Sequence, residues 1–135
     1  MRYLLDTHIL IWALSGADGF LPETVAEMID APENEIYYSA VSIWEVAIKN
    51  AVRSGQVGVT AETLARLCGK AGIREVPVTS RHALTVESLS RPEDAPPHKD
   101  PFDRMLIAQA KAEGMRLITH DGKLEDYGES CVLKV

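Results

Sequence analysis

Several things are scarce in this 135-residue chain, and each scarcity removes a class of function. Cysteine occurs twice, as Cys68 and Cys131, without the paired spacing of a zinc or iron–sulfur site; two such residues with no secretion signal read as reduced, partly buried thiols. Basic residues are outnumbered, fourteen against twenty acidic ones for a formal charge of −6, so the field of the whole molecule does not attract a polyanion. Any nucleic acid has to be held locally, with Lys49 and Arg53, and His98, Lys99 and Arg104, as candidates beside the alternative of an ordinary solvated surface. The longest early apolar run, Ile9 to Leu14, is too short to span a bilayer, and Asp6 interrupts the place where a signal peptide needs its apolar stretch. The expectation is a cytoplasmic protein without a membrane partner. Histidines 8, 82, 98 and 120 are scattered, and none is assigned catalysis.

The composition, 46% hydrophobic and 25% charged, is that of a globular protein, and the length suits one domain over residues 1–135 with a radius of gyration of about 14 Å. No internal repeat or low-complexity tract interrupts it. Arg2 to Leu5 reads as a strand, followed by an Asp6-Thr7 cap and a helix ending at Ser15-Gly16. A short helix follows Leu21-Pro22-Glu23, and Glu35 to Tyr38 is a second strand leading into a helix that Ser39 caps and that runs to Arg53. Thr60 opens a further helix that fades between Gly69 and Gly72. Arg74 to Thr79 reads as an edge strand because of Pro77, and Ser80 caps a helix to about Leu89. The proline-rich stretch Arg91 to Pro97 is a loop running into Asp100-Pro101, which starts a helix to Glu113. Arg116 to Thr119 and Cys131 to Val135 complete about five strands. Trp12 and Trp44 are expected to be packing residues. Alternation of strand and helix argues for a three-layer α/β/α fold with a central parallel sheet, whose ligands bind beyond the carboxyl ends of the strands.

Four acids fall on that edge: Asp6, Glu45, Asp103 and Asp121. Each has a bland alternative. Asp6 is a good N-cap, Asp103 a favourable first-turn acid behind an Asp100 cap, and Asp121 before Gly122 a turn residue. Glu45 has no capping role if Ser39 is the cap, but belongs to a capping box if Ser42 is. Together they point to a cation. Two carboxylates about 4 Å apart repel by about 1 kcal/mol in water and about 4 kcal/mol at an effective dielectric near 20. Oxygen ligands without cysteine or a histidine pair favour Mg²⁺ or Mn²⁺. Asp6 and Asp103 are then the expected primary ligands, with Asp121 and Glu45 holding a second ion or orienting a water. Thr7 and Thr119 aim neighbouring carboxylates, Asp100 supplements Asp103 or only caps the helix, and Arg104 contacts a phosphate or merely lies exposed.

Other readings of a strand followed by Asp6 fail on named positions. His8 occupies the place where a haloacid-dehalogenase-type phosphatase needs a second Asp, Thr79 and Ser80 stand where a receiver domain needs its phospho-accepting Asp, and Asp6-Thr7-His8-Ile9 lacks a dinucleotide-binding glycine turn. By contrast, Leu4-Leu5-Asp6-Thr7-His8, Ser42-Ile43-Trp44-Glu45, the segment from His98 to Ala110 containing Asp100-Pro101-Phe102-Asp103-Arg104, and Thr119-His120-Asp121 resemble the ordered motifs of PIN-domain ribonucleases. The third segment particularly resembles VapC-type toxins of toxin–antitoxin pairs. The resemblance implies a Mg²⁺-dependent endoribonuclease with Asp6, Glu45, Asp103 and Asp121 as its acidic quartet, forming a homodimer that a small cognate antitoxin inhibits. The rival from another class is a non-catalytic PIN-like binding module that uses the acids to dock a basic partner segment.

Overall fold

A computed structural model describes residues 1–15 and 20–135. Five short parallel strands form one sheet in the order β3-β2-β1-β4-β5, with β1 Arg2–Leu5, β2 Glu35–Ser39, β3 Arg74–Val76, β4 Arg116–Thr119 and β5 Val132–Lys134. The helices are α1 Thr7–Ser15, α2 Glu23–Asp30, α3 Ala40–Val52, α4 Ala61–Lys70, α5 Ser80–Val86 and α6 Pro101–Glu113, with a 3₁₀ turn over Gly122–Tyr127. The expected stop of α1 at Gly16 lies outside the described residues.

Alternation along the strands builds the two cores. Leu4 and Leu117 face a cluster with Val41, Leu106, Ile107 and Leu124, whereas their successors Leu5 and Ile118 face a cluster with Ile9, Leu10, Val46 and Leu64. Covering both faces is what a parallel sheet requires. Each fully buried Leu or Ile contributes about 1.5–3 kcal/mol relative to exposure. α3 serves both cores, through Val41 at its start and Val46 further along, and so is held against the central strands where Glu45 projects.

The expected cap of α3 is present: the Ser39 hydroxyl accepts from Val41 N at 3.0 Å and also lies against Gln109 Oε1 of α6, tying β2 to that helix. Other boundaries differ from the sequence reading. β3 ends at Val76 rather than Thr79, and the cap of α5 is Thr79, not Ser80. Pro77 has no N–H for a ladder, and Thr79 N donates to His82 Nδ1 at 3.1 Å in a reciprocal capping box that takes the chain out of the sheet. α5 also stops at Val86, short of Leu89, and β5 covers only Val132–Lys134. Trp44, expected as a packing residue, is 56% exposed and touches Phe102 edge-on at 5.0 Å. Trp12 does pack against the Leu5 core. Both cysteines are free thiols. No helix among the described residues is long and apolar enough to cross a membrane.

Candidate metal centre

The sheet fixes the first acid directly. Asp6 N donates to Ile118 O at 3.0 Å, carrying the β1–β4 ladder one residue past the strand. The side chain is then turned back over the start of α1, where Oδ1 accepts from Ile9 N at 3.0 Å and Oδ2 from the Thr119 hydroxyl of β4. Asp6 is therefore both a cap and a member of the acidic edge. It is only 5% exposed, and burial pushes its carboxyl above the usual range despite these donors.

Glu45 sits one and a half turns into α3 and is 3% exposed. Oε1 accepts from Thr7 Oγ1 at 2.7 Å and Oε2 from Lys49 Nζ at 2.6 Å. Thr7 has a single proton, committed to the carboxylate, so the Ser42 hydroxyl 2.8 Å away donates to Thr7 in turn. Ser42 lies on the same face as Glu45, one turn earlier, and completes this relay rather than capping the helix. Burial alone would lower the Lys49 ammonium, but the hydrogen bond to Glu45 and the charges of Glu45, Asp100 and Asp103 outweigh it and hold the ammonium above its ordinary value. Lys49 is thus committed to the acidic group as an internal counter-charge.

Asp100 resolves as the cap of α6, its Oδ1 accepting from Phe102 N at 2.8 Å and Asp103 N at 3.2 Å. Pro101 occupies the first turn, where its missing N–H costs nothing. Asp103, two residues further, points back to the sheet edge and has a pKa raised to about 7: first by burial, then by the negative charges of Asp100, Glu45, Asp6 and Asp121. That list is an electrostatic map of the site, because the repulsion reaches Asp103 from each of the other three acids that the sequence placed on this edge. Asp121 caps the 3₁₀ turn through Lys123 N at 2.9 Å, and its own N donates to Thr119 Oγ1 at 3.1 Å. The Thr119 hydroxyl therefore links Asp6 and the backbone of Asp121. Burial holds the Tyr127 phenol above its ordinary pKa against the opposing charge of nearby Arg104, whose buried Nε has no hydrogen-bond partner among the described residues.

His98, a candidate nucleic-acid contact in the sequence but not a candidate ligand, faces the acids in the structure. Its Nε2 lies 3.2 Å from Asp103 Oδ2 and its Nδ1 2.7 Å from the Tyr127 hydroxyl. Burial first, then the nearby Arg91 charge, lowers the imidazole pKa, while Asp103 is raised; the contact is held by one proton between an acid and a neutral ring, not by an ion pair. One ligand atom each from His98, Asp103 and Asp121 lie within 4.8 Å of one another, close enough to share an ion. The sequence signal was positional: His98 ends the proline-rich loop, five residues before Asp103.

Two nitrogen- and oxygen-rich walls thus meet at the carboxyl end of the sheet. Asp103, Asp121 and His98 form one, and Glu45 with Thr7, Ser42 and Lys49 the other, with Asp6 close enough to Glu45 and Asp103 to be repelled by both. A cleft of about 190 Å³ between α1 and α3, lined in part by Thr7, Trp12, Glu45 and Lys49, reaches only the Glu45 side. The donor set fits a hard or borderline divalent cation, since a carboxyl whose pKa burial and then neighbouring negative charge raise to about 7 ionises when a cation replaces its proton.

The fold matches VapBC2 from Rickettsia felis, solved bound to a DNA fragment from its promoter, with a TM-score of 0.69 at 14% identity, covering 100% of this chain and 98% of that one. VapBC-1 from nontypeable Haemophilus influenzae gives 0.68 at 16% identity, over 99% and 98% of the two chains, and FitAcB from Neisseria gonorrhoeae 0.64 at 20% identity, over 98% and 96%. No curated protein matches the sequence. The family model of the PIN domain matches residues 3–130, and the chain belongs to the PIN-domain family.

Proposed function

We propose that this protein is a metal-dependent endoribonuclease and the toxin of a VapBC-type toxin–antitoxin pair. The observation that carries the reading is the convergence on Asp103: its carboxyl is raised to about 7 by burial together with Asp100, Glu45, Asp6 and Asp121, at the sheet edge where ligands bind. Such a group gains most from a cation. Phosphodiester hydrolysis needs a nucleophilic water at neutral pH and relief of charge on the phosphoryl and leaving oxygens, and bound Mg²⁺ or Mn²⁺ supplies both.

In this reading Asp103 and Asp121 hold the ion with Asp6 beside them, directly or through water. Glu45, fixed by Thr7 and Lys49, orients the water or a second ion. Thr119 and Thr7 keep the carboxylates aimed, and Asp100 acts by capping α6 and adding negative charge. Arg104, next to Asp103 in sequence, supplies local attraction for an RNA phosphate that the −6 molecule as a whole does not, and Lys49 adds only what its bond to Glu45 leaves exposed. The toxin assignment is supported by the fold neighbours, which come from VapBC and FitAB structures. It brings with it a cognate antitoxin, a homodimer and a cytoplasmic location.

The experiment is incubation with structured and unstructured RNA in Mg²⁺, Mn²⁺ or EDTA. Metal-dependent cutting that Asp6→Asn abolishes is the expected result. An intact RNA in every ion, alongside tight capture of a basic partner peptide, would replace the enzyme with the binding module.

A further inference from the structure

We propose that His98 is itself a ligand of the bound ion, so that the centre is a set of one imidazole and two carboxylates that selects Mn²⁺ over Mg²⁺. This deepens the metal-centre reading above and rests on it. Three observations carry it.

The first is reach. Two ligands at right angles, each about 2.1 Å from an octahedral ion, stand about 3.0 Å apart, and two opposite ligands about 4.2 Å apart. His98 Nε2 and Asp103 Oδ2 are 3.2 Å apart, and with an oxygen of Asp121 all three atoms fall within 4.8 Å. The His98–Asp103 separation is already that of adjacent positions on one ion, and the Asp121 carboxylate closes the rest by side-chain rotation when the ion binds.

The second is the support behind the ring. A metal-binding imidazole uses one nitrogen for the ion and donates its other N–H to a fixed acceptor. Here Nδ1 meets the Tyr127 hydroxyl at 2.7 Å, and Tyr127 is itself held, with its ring buried and the Arg91 guanidinium 5.4 Å from its centroid. Arg91 is anchored in turn by Asp126 at 3.0 Å. With Nδ1–H directed to Tyr127, Nε2 presents its lone pair to Asp103 and Asp121. The side chain of His98 is 5% exposed, so the ring is placed by the fold.

The third is economy of contact. His98 reaches Asp103 from the loop before α6, whereas Lys49 is engaged with Glu45 at 2.6 Å. The imidazole brings no charge of its own to a group already short of cations. A nitrogen ligand discriminates between ions: imidazole binds first-row transition ions well, whereas Mg²⁺ prefers oxygen and gives up water reluctantly.

The test reads the ion directly. Metal-free protein is loaded with MnCl₂ and examined by electron spin-echo envelope modulation, which detects a directly bonded ¹⁴N. The expected result is a ¹⁴N signal in the wild type that persists in His8→Gln and His120→Gln and vanishes in His98→Gln. Calorimetry should show Mn²⁺ affinity falling about tenfold or more in His98→Gln, with Mg²⁺ affinity moving far less. Tyr127→Phe keeps the ring but removes its partner; the signal should survive with an altered coupling and weaker Mn²⁺ binding, which covers the case that His98→Gln fails to fold. Bound Mn²⁺ without ¹⁴N modulation in the wild type, or modulation undiminished in folded His98→Gln, would overturn the inference. RNA cleavage with Mg²⁺ but no ¹⁴N signal removes His98 and leaves the nuclease, whereas a ¹⁴N signal without cleavage of any RNA keeps His98 and removes the nuclease. Absence of any Mn²⁺ binding ends both.

Discussion

Replacing Asp103 with Asn measures how much stability the acidic group takes from the native state when no cation is bound. The carboxyl has a model-compound pKa of 3.8 and one of about 7 in the folded protein. A raised acid keeps its proton in the native state over a window in which the unfolded chain has already lost it. Its contribution is therefore fully present below about pH 3.8, falls as pH rises through the window, and is gone above about pH 7. At 1.36 kcal/mol per unit the loss is on the order of 4 kcal/mol. Part of it returns as neighbouring acids take up protons, so Asp103→Asn should stabilise the metal-free protein by about 2–3 kcal/mol at pH 8. For a chain of this length that is a rise in Tm of roughly 6–10 °C. The assay is thermal or urea unfolding from pH 5 to pH 8.5 in chelator. The wild type should weaken as pH rises to about 7 and then level off, and the variant should not weaken over that interval. Saturating Mn²⁺ at about 100 times its Kd should return about 2.7 kcal/mol to the wild type and much less to the variant. A variant that melts at or below the wild type at pH 8, or a wild type whose stability is flat across that range, would refute the reasoning.

Other perturbations separate the parts of the site. Asp6→Asn should abolish RNA cleavage and leave Tm in metal-free buffer similar or higher, because the amide can retain the Ile9 contact without a buried negative charge. Thr119→Val keeps the shape but removes the donor to Asp6 and the acceptor for Asp121 N; a loss of about 1–3 kcal/mol in urea unfolding is expected, with reduced cleavage. Lys49→Met strips Glu45 of its cation, and since Lys49 is partly exposed the cost should be only about 1–2 kcal/mol, recovered by added divalent ion in a melting assay. Thr79→Ala should cost about 0.5–2 kcal/mol through loss of the α5 cap and leave cleavage unchanged, a control far from the acids.

The sheet and its order of elements were legible because apolar strands and capped helices alternate along the chain, and the parallel arrangement follows from that alternation. Where two local rules compete, the sequence reading slipped. Val78 and Thr79 look like strand residues, but a capping box with His82 takes the Thr79 N–H. Histidine in the position usually held by Glu or Gln concealed that box. The 3₁₀ turn after Asp121 lacks a hydrophobic period long enough to announce a helix, although its Leu124 and Tyr127 are buried. Trp44 kept helical spacing with Val41 and Ile48, yet periodicity does not say which face of α3 meets the core.

The site divides in the same way. The acids were recoverable one by one from their places at strand ends and helix starts. The contacts that cross the chain were not: Thr119 serves Asp6 across 113 residues of sequence, and Thr7 serves Glu45 across 38. His98 has no ligand role in the sequence reading because a lone histidine beside a proline-rich loop has no periodicity to place it. Tyr127, brought back by the 3₁₀ turn, and Asp103 together show which way the His98 ring faces.

The central claim, that carboxylates from separate stretches form one pocket made tolerable by a cation, is tested most directly by X-ray diffraction from crystals grown metal-free and soaked in MnCl₂, recorded at a wavelength where manganese scatters anomalously. The account predicts an anomalous peak about 2.0–2.3 Å from oxygens of Asp103 and Asp121, with Asp6 and Glu45 around it. Manganese found only on the outer surface, with Asp103 still closed against His98, would contradict it.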